Sequence, residues 1–191
     1  MGSPLRIQSD EVLYHAVARG VDKQMIFGVV DGDRFVFLKQ LARTVARRGW
    51  WLHSYCLMGN HFHLVFETPY ANIGDGMRDL MSAYALWFND LKGREGHLFE
   101  RRYYADVLEV EAHLLAVCRY VVLNPVRARL CRHPADWQWS NYRATAGLMP
   151  PPAFLSTDFL YEFLGGPATA PRVYAQLVAD AMPAPDRPFG T

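Results

Sequence analysis

Residues 11–19 alternate in hydropathy, with Val12, Tyr14, Ala16 and Ala18 set against Leu13, His15 and Val17, and Gly20 follows. A period of two predicts a half-buried strand. The turn Asp31-Gly32-Asp33 then opens a predicted helix over 34–48 whose apolar face carries Phe35, Leu38, Leu41 and Val45, with Gly49 closing it. Strands are predicted over 50–57 and 61–66, joined as a hairpin by Met58-Gly59-Asn60. From Asn72 or Asp75 a helix runs through Met77, Leu80, Met81, Tyr84, Leu86, Trp87 and Phe88 to Gly93. A strand over 103–110 and a helix from Glu111 complete the pattern. Strand, helix, strand, strand, helix, strand is the split βαβ order. It predicts an α+β, ferredoxin-like fold, an antiparallel sheet with helices on one face and the other face open.

The 61–66 strand is where chemistry enters. Alternate residues of a strand share a face, so His61 and His63 stand together while Phe62 and Leu64 point to the helices. Two readings fit the pair: ligands of a divalent ion on the open face, or two surface histidines hydrogen-bonded to neighbours. On the helix from Glu111, Leu114, Leu115, Cys118, Val121 and Val122 form the apolar side, and Tyr120 and Asn124 lie one turn apart. Asn124 can supply a neutral oxygen as a third ligand, a set that suits Mg²⁺ or Mn²⁺, although affinity alone favours Zn²⁺ or Ni²⁺ at imidazoles. Tyr120 is then a nucleophile aimed at the same place. A free phenol ionises near pH 10, so phenolate at neutral pH costs about 4 kcal/mol, which a bound phosphate and cation must offset. The plainer reading makes Tyr120 a half-buried core aromatic and Asn124 a helix cap ahead of Pro125.

Composition narrows the setting. The chain has 191 residues, 51% hydrophobic and 14% aromatic, enough for one globular domain with appendages. A formal charge of +1 means that any nucleic acid must be held by local arginine clusters. Three cysteines without a Cys-x-x-Cys argue against a disulfide framework or zinc knuckle, and Cys56 and Cys118 read as core residues. No signal pattern opens the chain and no apolar run approaches about 18 residues, so a cytoplasmic location is expected.

His61-Phe62-His63 after Met58-Gly59-Asn60, then Gly96-His97-Leu98-Phe99-Glu100-Arg101-Arg102-Tyr103, and Tyr120 and Asn124 within 119–128, together resemble the single-tyrosine HUH transposases, and within them the REP-associated branch. Tyr55-Cys56-Leu57-Met58, Phe88-Asn89 and Trp139-Ser140-Asn141-Tyr142 extend the resemblance from about residue 14 to 147. Five positions depart from the usual pattern, Gly59, Phe62, Glu100, Arg101 and Asn141, and none removes a catalytic group. The resemblance implies an endonuclease and strand transferase for single-stranded DNA at hairpin-forming sites. Tyr120 would form a 5'-phosphotyrosine link and release a 3'-hydroxyl, with a Mg or Mn ion on His61, His63 and Asn124, and no nucleotide cofactor. A monomer or homodimer is expected. The rivals are a non-cleaving nucleic-acid-binding regulator and a metallohydrolase that activates water.

Arg101, Arg102, Arg127, Arg129 and Arg132 are the candidate phosphate contacts. His97 could assist proton transfer or contact DNA, and Glu67 and Asp106 could support the ligands. Tyr103 and Tyr104 are rival nucleophiles without an amide one turn away. Trp137, Trp139 and Tyr142 could stack on bases or pack the C-terminal segment. A boundary is expected at Pro150-Pro151-Pro152, dividing a catalytic domain over 1–149 from an extension over 150–191. The extension should carry helices near 157–164 and 171–182 and a disordered end over 183–191.

Overall fold

The computed structural model describes residues 12–108 and 111–183. The strand ends expected at Glu11 and at Glu109 and Val110, and the C-terminal end from residue 184, lie outside the described residues. Strands β1 (Val12–Arg19), β2 (Trp51–Leu57), β3 (His61–Thr68) and β4 (Tyr104–Val107) form one antiparallel sheet in the order β2-β3-β1-β4. Its register pairs Ala16 with Leu64, Ala18 with Phe62, Val17 with His63 and Arg19 with His61. This assigns the two faces of the sheet.

On one face, Ala16, Ala18, Phe62 and Leu64 meet helices α1 (Asp33–Arg48) and α2 (Ile73–Lys92) in the largest core cluster. The helical stripe of α1 is Phe37, Leu41, Thr44 and Val45 with Leu38 half-buried beside it, so Leu38, Leu41 and Val45 pack as expected while Phe37 replaces Phe35, which is 65% exposed. Leu86 likewise leaves the apolar side of α2, at 73% exposed. At Gly49 and Gly93 both helices close on left-handed glycines, with φ of 66° and 58°. Asn72 precedes α2 without capping it through its side chain. Its amide instead donates to the Arg48 carbonyl (2.9 Å) and accepts from Trp50 Nε1 (2.7 Å), locking the α1–β2 junction to α2.

The second face is not bare. Helix α3 (Glu111–Arg127) lies across β2 and β3, where Leu114, Cys118 and Val121 bury Cys56, Met58 and Val65. Pro125 sits inside α3, and the helix continues through it to Arg127 rather than ending at Asn124. Proline cannot donate to the carbonyl four residues back. The Asn124 amide fills in, donating to the Tyr120 carbonyl at 2.9 Å and to the Val121 carbonyl at 3.4 Å.

The edge of β2 is covered by chain from beyond α3. Leu57 N–H donates to the Trp139 carbonyl (2.9 Å), Asn141 N–H to the Tyr55 carbonyl (3.2 Å) and Ser156 N–H to the Leu52 carbonyl (2.7 Å). Buried Asn141 fastens this segment: its Oδ1 accepts from Ser54 Oγ (2.8 Å) and Tyr55 N–H (2.9 Å). Short helices α4 (Tyr142–Thr145) and α5 (Asp158–Phe163), and α6 (Ala170–Ala179), follow. Leu160 joins the cluster under α3, and Tyr174 and Val178 pack on Val122, Leu123, Val126 and Tyr142.

Candidate active site

Strand parity and α3 together build the site. On the face away from α1 and α2, β3 presents His61 and His63 and β1 presents His15, Val17 and Arg19. Since α3 buries Leu114, Cys118 and Val121 against the sheet, Tyr120 falls at the margin of its buried stripe, 40% exposed. Its ring meets His63 edge-on at 5.9 Å and His15 at 6.2 Å between centroids. The Arg127 guanidinium lies over the Tyr120 ring at 5.1 Å, seven residues and two turns along the same helix.

The imidazoles are prepared to act as lone-pair donors. Asn60 Nδ2 donates to the Lys23 carbonyl at 3.1 Å, which fixes the amide so that Oδ1 faces His61. His61 Nδ1 lies 2.7 Å from that oxygen and must donate to it, leaving the lone pair on Nε2. His63 Nδ1 lies 3.0 Å from His15 Nε2, and His63 Nε2 is buried with no hydrogen-bond partner. A buried imidazole nitrogen without a partner is costly. A cation satisfies it if Nδ1 carries the proton and donates to His15, the tautomer that leaves Nε2 free to coordinate. Burial holds both rings neutral. The His61 pKa is pushed down to about 4 by burial and Arg19, and that of His63 to about 2 by burial, His61, His15 and Arg19. Burial also lowers His15, while Asp106, its register partner on β4, raises it.

Asn124 is the third candidate ligand. With its Nδ2 committed to the helix carbonyls, its Oδ1 is the atom left to a ligand. Two imidazoles and one amide oxygen are neutral donors that suit a divalent ion with positions left open. Among the described residues, no three His, Cys, Asp or Glu side chains converge as a metal site.

The other predicted residues divide. Arg101 and Arg102 line a cleft of about 1130 Å³ between α2 and the 96–103 turn, together with Arg78 and exposed His97. That turn joins the end of β1, where Glu100 N–H donates to the Arg19 carbonyl (2.9 Å). Arg129, left-handed at φ 58°, and Arg132 are exposed just beyond α3. Tyr103 is buried, whereas Tyr104 is 62% exposed on the histidine face, opposite Val17. The Tyr104 hydroxyl donates to Asp106 (2.5 Å), and that bond and charge raise its pKa. Glu67 lies at the far end of β3 beside His53 (3.8 Å), and Tyr142 is buried. His15 and Arg19 were not singled out from the sequence. Their signal was parity: both share the alternation of β1 with Val17.

A family model described as "Transposase IS200 like" matches residues 8–124. No curated protein matches the chain. Among solved structures, a REP-associated tyrosine transposase bound to a REP hairpin aligns with a TM-score of 0.63 at 14% identity, covering 78% of this chain and 89% of that one. A candidate transposase from Deinococcus radiodurans R1 aligns at 18% identity, covering 63% of this chain and 94% of that one, with a TM-score of 0.43. The first of these shares the fold. Among the described residues no helix is long and apolar enough to cross a membrane.

Proposed function

The chain belongs to the IS200-like transposase family, and on that premise we propose that it nicks and rejoins single-stranded DNA at hairpin-forming sites through Tyr120. The observation that carries this reading is the meeting of the Tyr120 ring with His63, whose Nε2 is buried without a partner. In the forward step the Tyr120 hydroxyl attacks a backbone phosphorus and gives up its proton to solvent or a base. A 5'-phosphotyrosine bond forms, and the bond to the 3'-oxygen breaks, that oxygen taking up a proton from solvent and leaving as a 3'-hydroxyl. Rejoining reverses these bonds, so one phosphodiester is exchanged for another and no nucleotide is consumed. His61, His63 and Asn124 would hold Mg²⁺ or Mn²⁺, which supplies positive charge to the scissile phosphate. Arg127 and Arg19 flank this position and would orient the strand, with Arg129, Arg132, Arg101 and Arg102 as outlying phosphate contacts. Residues 1–149 are the catalytic unit in this reading, and the extension from 150 buttresses α3.

The test is a denaturing gel of the protein incubated with labelled single-stranded hairpin oligonucleotides, with Mn²⁺ or with chelator. The expected result is a covalent adduct that needs metal, disappears in Tyr120→Phe and persists in Tyr104→Phe. Binding without adduct or cleavage across a broad target set would replace this reading by a non-cleaving regulator. Cleavage surviving in Tyr120→Phe would replace it by an activated water.

A further inference from the structure

At the end of the sheet where β3 begins, a second group of side chains has no role in the chemistry above. Arg34, in the first turn of α1, places its guanidinium over the rings of Trp139 (5.2 Å), Trp137 (5.6 Å) and Phe27 (5.9 Å). Those contacts are to the ring faces and supply no hydrogen-bond acceptor. The guanidinium's five N–H donors point in its plane, and among the described residues they have no acceptor: Arg34 forms no hydrogen bond or ion pair, and its Nε is buried without a partner. A half-buried arginine without an acceptor pays a desolvation cost that a ligand can repay.

The surroundings define that ligand. A cleft of about 210 Å³ opens beside Arg34, walled by the 28–33 turn and Trp139. Gly28, at φ 72°, lets the turn close on the guanidinium, since a Cβ there would press on it at 3.3 Å. Gly32 leaves the turn open on its other side, with nothing within 4 Å of where a Cβ would stand. Phe35, 65% exposed, meets Trp139 edge-on at 5.0 Å. An apolar ligand would leave the guanidinium edge unsatisfied, and a bare phosphate would leave the aromatic surface exposed. A planar heterocycle with ring-nitrogen or carbonyl acceptors meets both demands. The position also fits a strand held at the histidines. Trp137 Nε1 donates to the Leu57 carbonyl (3.2 Å), Leu57 N–H donates to the Trp139 carbonyl, and the next turn leads directly into His61.

We propose that Arg34, Phe35 and Trp139 form a seat for one unpaired nucleobase of the DNA strand. This rests on the strand-cleavage reading, because it takes its ligand from that substrate. The test measures binding, at one fixed salt concentration, of labelled hairpin oligonucleotides with single-stranded arms. Each arm nucleotide is replaced in turn by an abasic residue, and wild type is compared with Phe35→Ala and Phe35→Trp. Stacking of one base corresponds to roughly 5- to 150-fold in affinity. One abasic position should weaken wild-type binding by that factor. Phe35→Ala should lose a similar factor on the intact oligonucleotide and become blind to that position, and Phe35→Trp should restore both. If Phe35→Ala binds every oligonucleotide as wild type does, or still loses affinity at the same abasic position, the seat is wrong, whether or not wild type forms its Tyr120 adduct. If wild type binds none of them, the seat and the strand-cleavage reading fall together.

Discussion

Metal-free protein should be acid-sensitive because its site histidines are held neutral. His63 is 5% exposed, and its folded pKa of about 2 lies far below the ordinary 6.5. A group whose pKa is depressed by folding contributes stability that is fully present above its unfolded pKa and is lost as pH falls below it. For His63 the loss therefore begins near pH 6.5 and continues down to its folded value. At pH 5 the unfolded imidazole is almost fully protonated and the folded one is not, which amounts to about 2 kcal/mol relative to pH 7. His61 adds a smaller term of the same sign, since it is only half-buried and solvent screens it. The assay is urea unfolding followed by tryptophan fluorescence, in chelator, at pH 7 and pH 5, for wild type and His63→Gln. Carboxylates titrate in both proteins, so the quantity of interest is the difference between the two pH-dependent losses. Wild type should lose about 2 kcal/mol more than the variant, a substantial part of a typical domain's stability. Equal losses, to within about 0.5 kcal/mol, would refute the claim that His63 is buried neutral with its Nε2 unpartnered.

Two further outcomes follow from contacts described above. His15→Leu removes the acceptor for His63 Nδ1 and should lower Mn²⁺ affinity about 10- to 100-fold in an equilibrium titration, whereas His15→Gln, which keeps an acceptor, should retain most of it. Gly76→Ala gains about 1 kcal/mol of helix propensity but drives a Cβ into the Trp50 indole, which Asn72 and a stacked Phe66 hold in place. The net effect should be a destabilisation of about 2 kcal/mol, seen as a melting temperature lower by roughly 4–8 °C.

What was legible in the sequence was whatever depends on local periodicity. The alternation over 61–66 put Phe62 and Leu64 in the core and the histidines on the other face, and the helical spacing of Tyr120 and Asn124 put both on one side of α3, whereas the continuation of the helix through Pro125 to Arg127 was not legible. What was not legible depends on register between distant segments. His15 becomes a partner of His63 only because β1 pairs with β3 so that Val17, and not His15, stands directly opposite His63, leaving His15 one diagonal step away. A shift of one residue would have turned His15 into the core. Arg19 likewise reaches the site only through its pairing with His61.

Phe35 shows the same limit in a helix. Its spacing admitted it to the apolar stripe of α1, but Phe37 and Leu41 occupy the surface that meets β3 and α2, and Phe35 is turned out toward Trp139, about a hundred residues further along the chain. Periodicity says which residues can share a face; the long-range pairing of Trp139 with the β2 edge decides what that face meets. An exposed phenylalanine that looks like an error of phase on α1 thereby meets Trp139, the ring over which its neighbour Arg34 also lies.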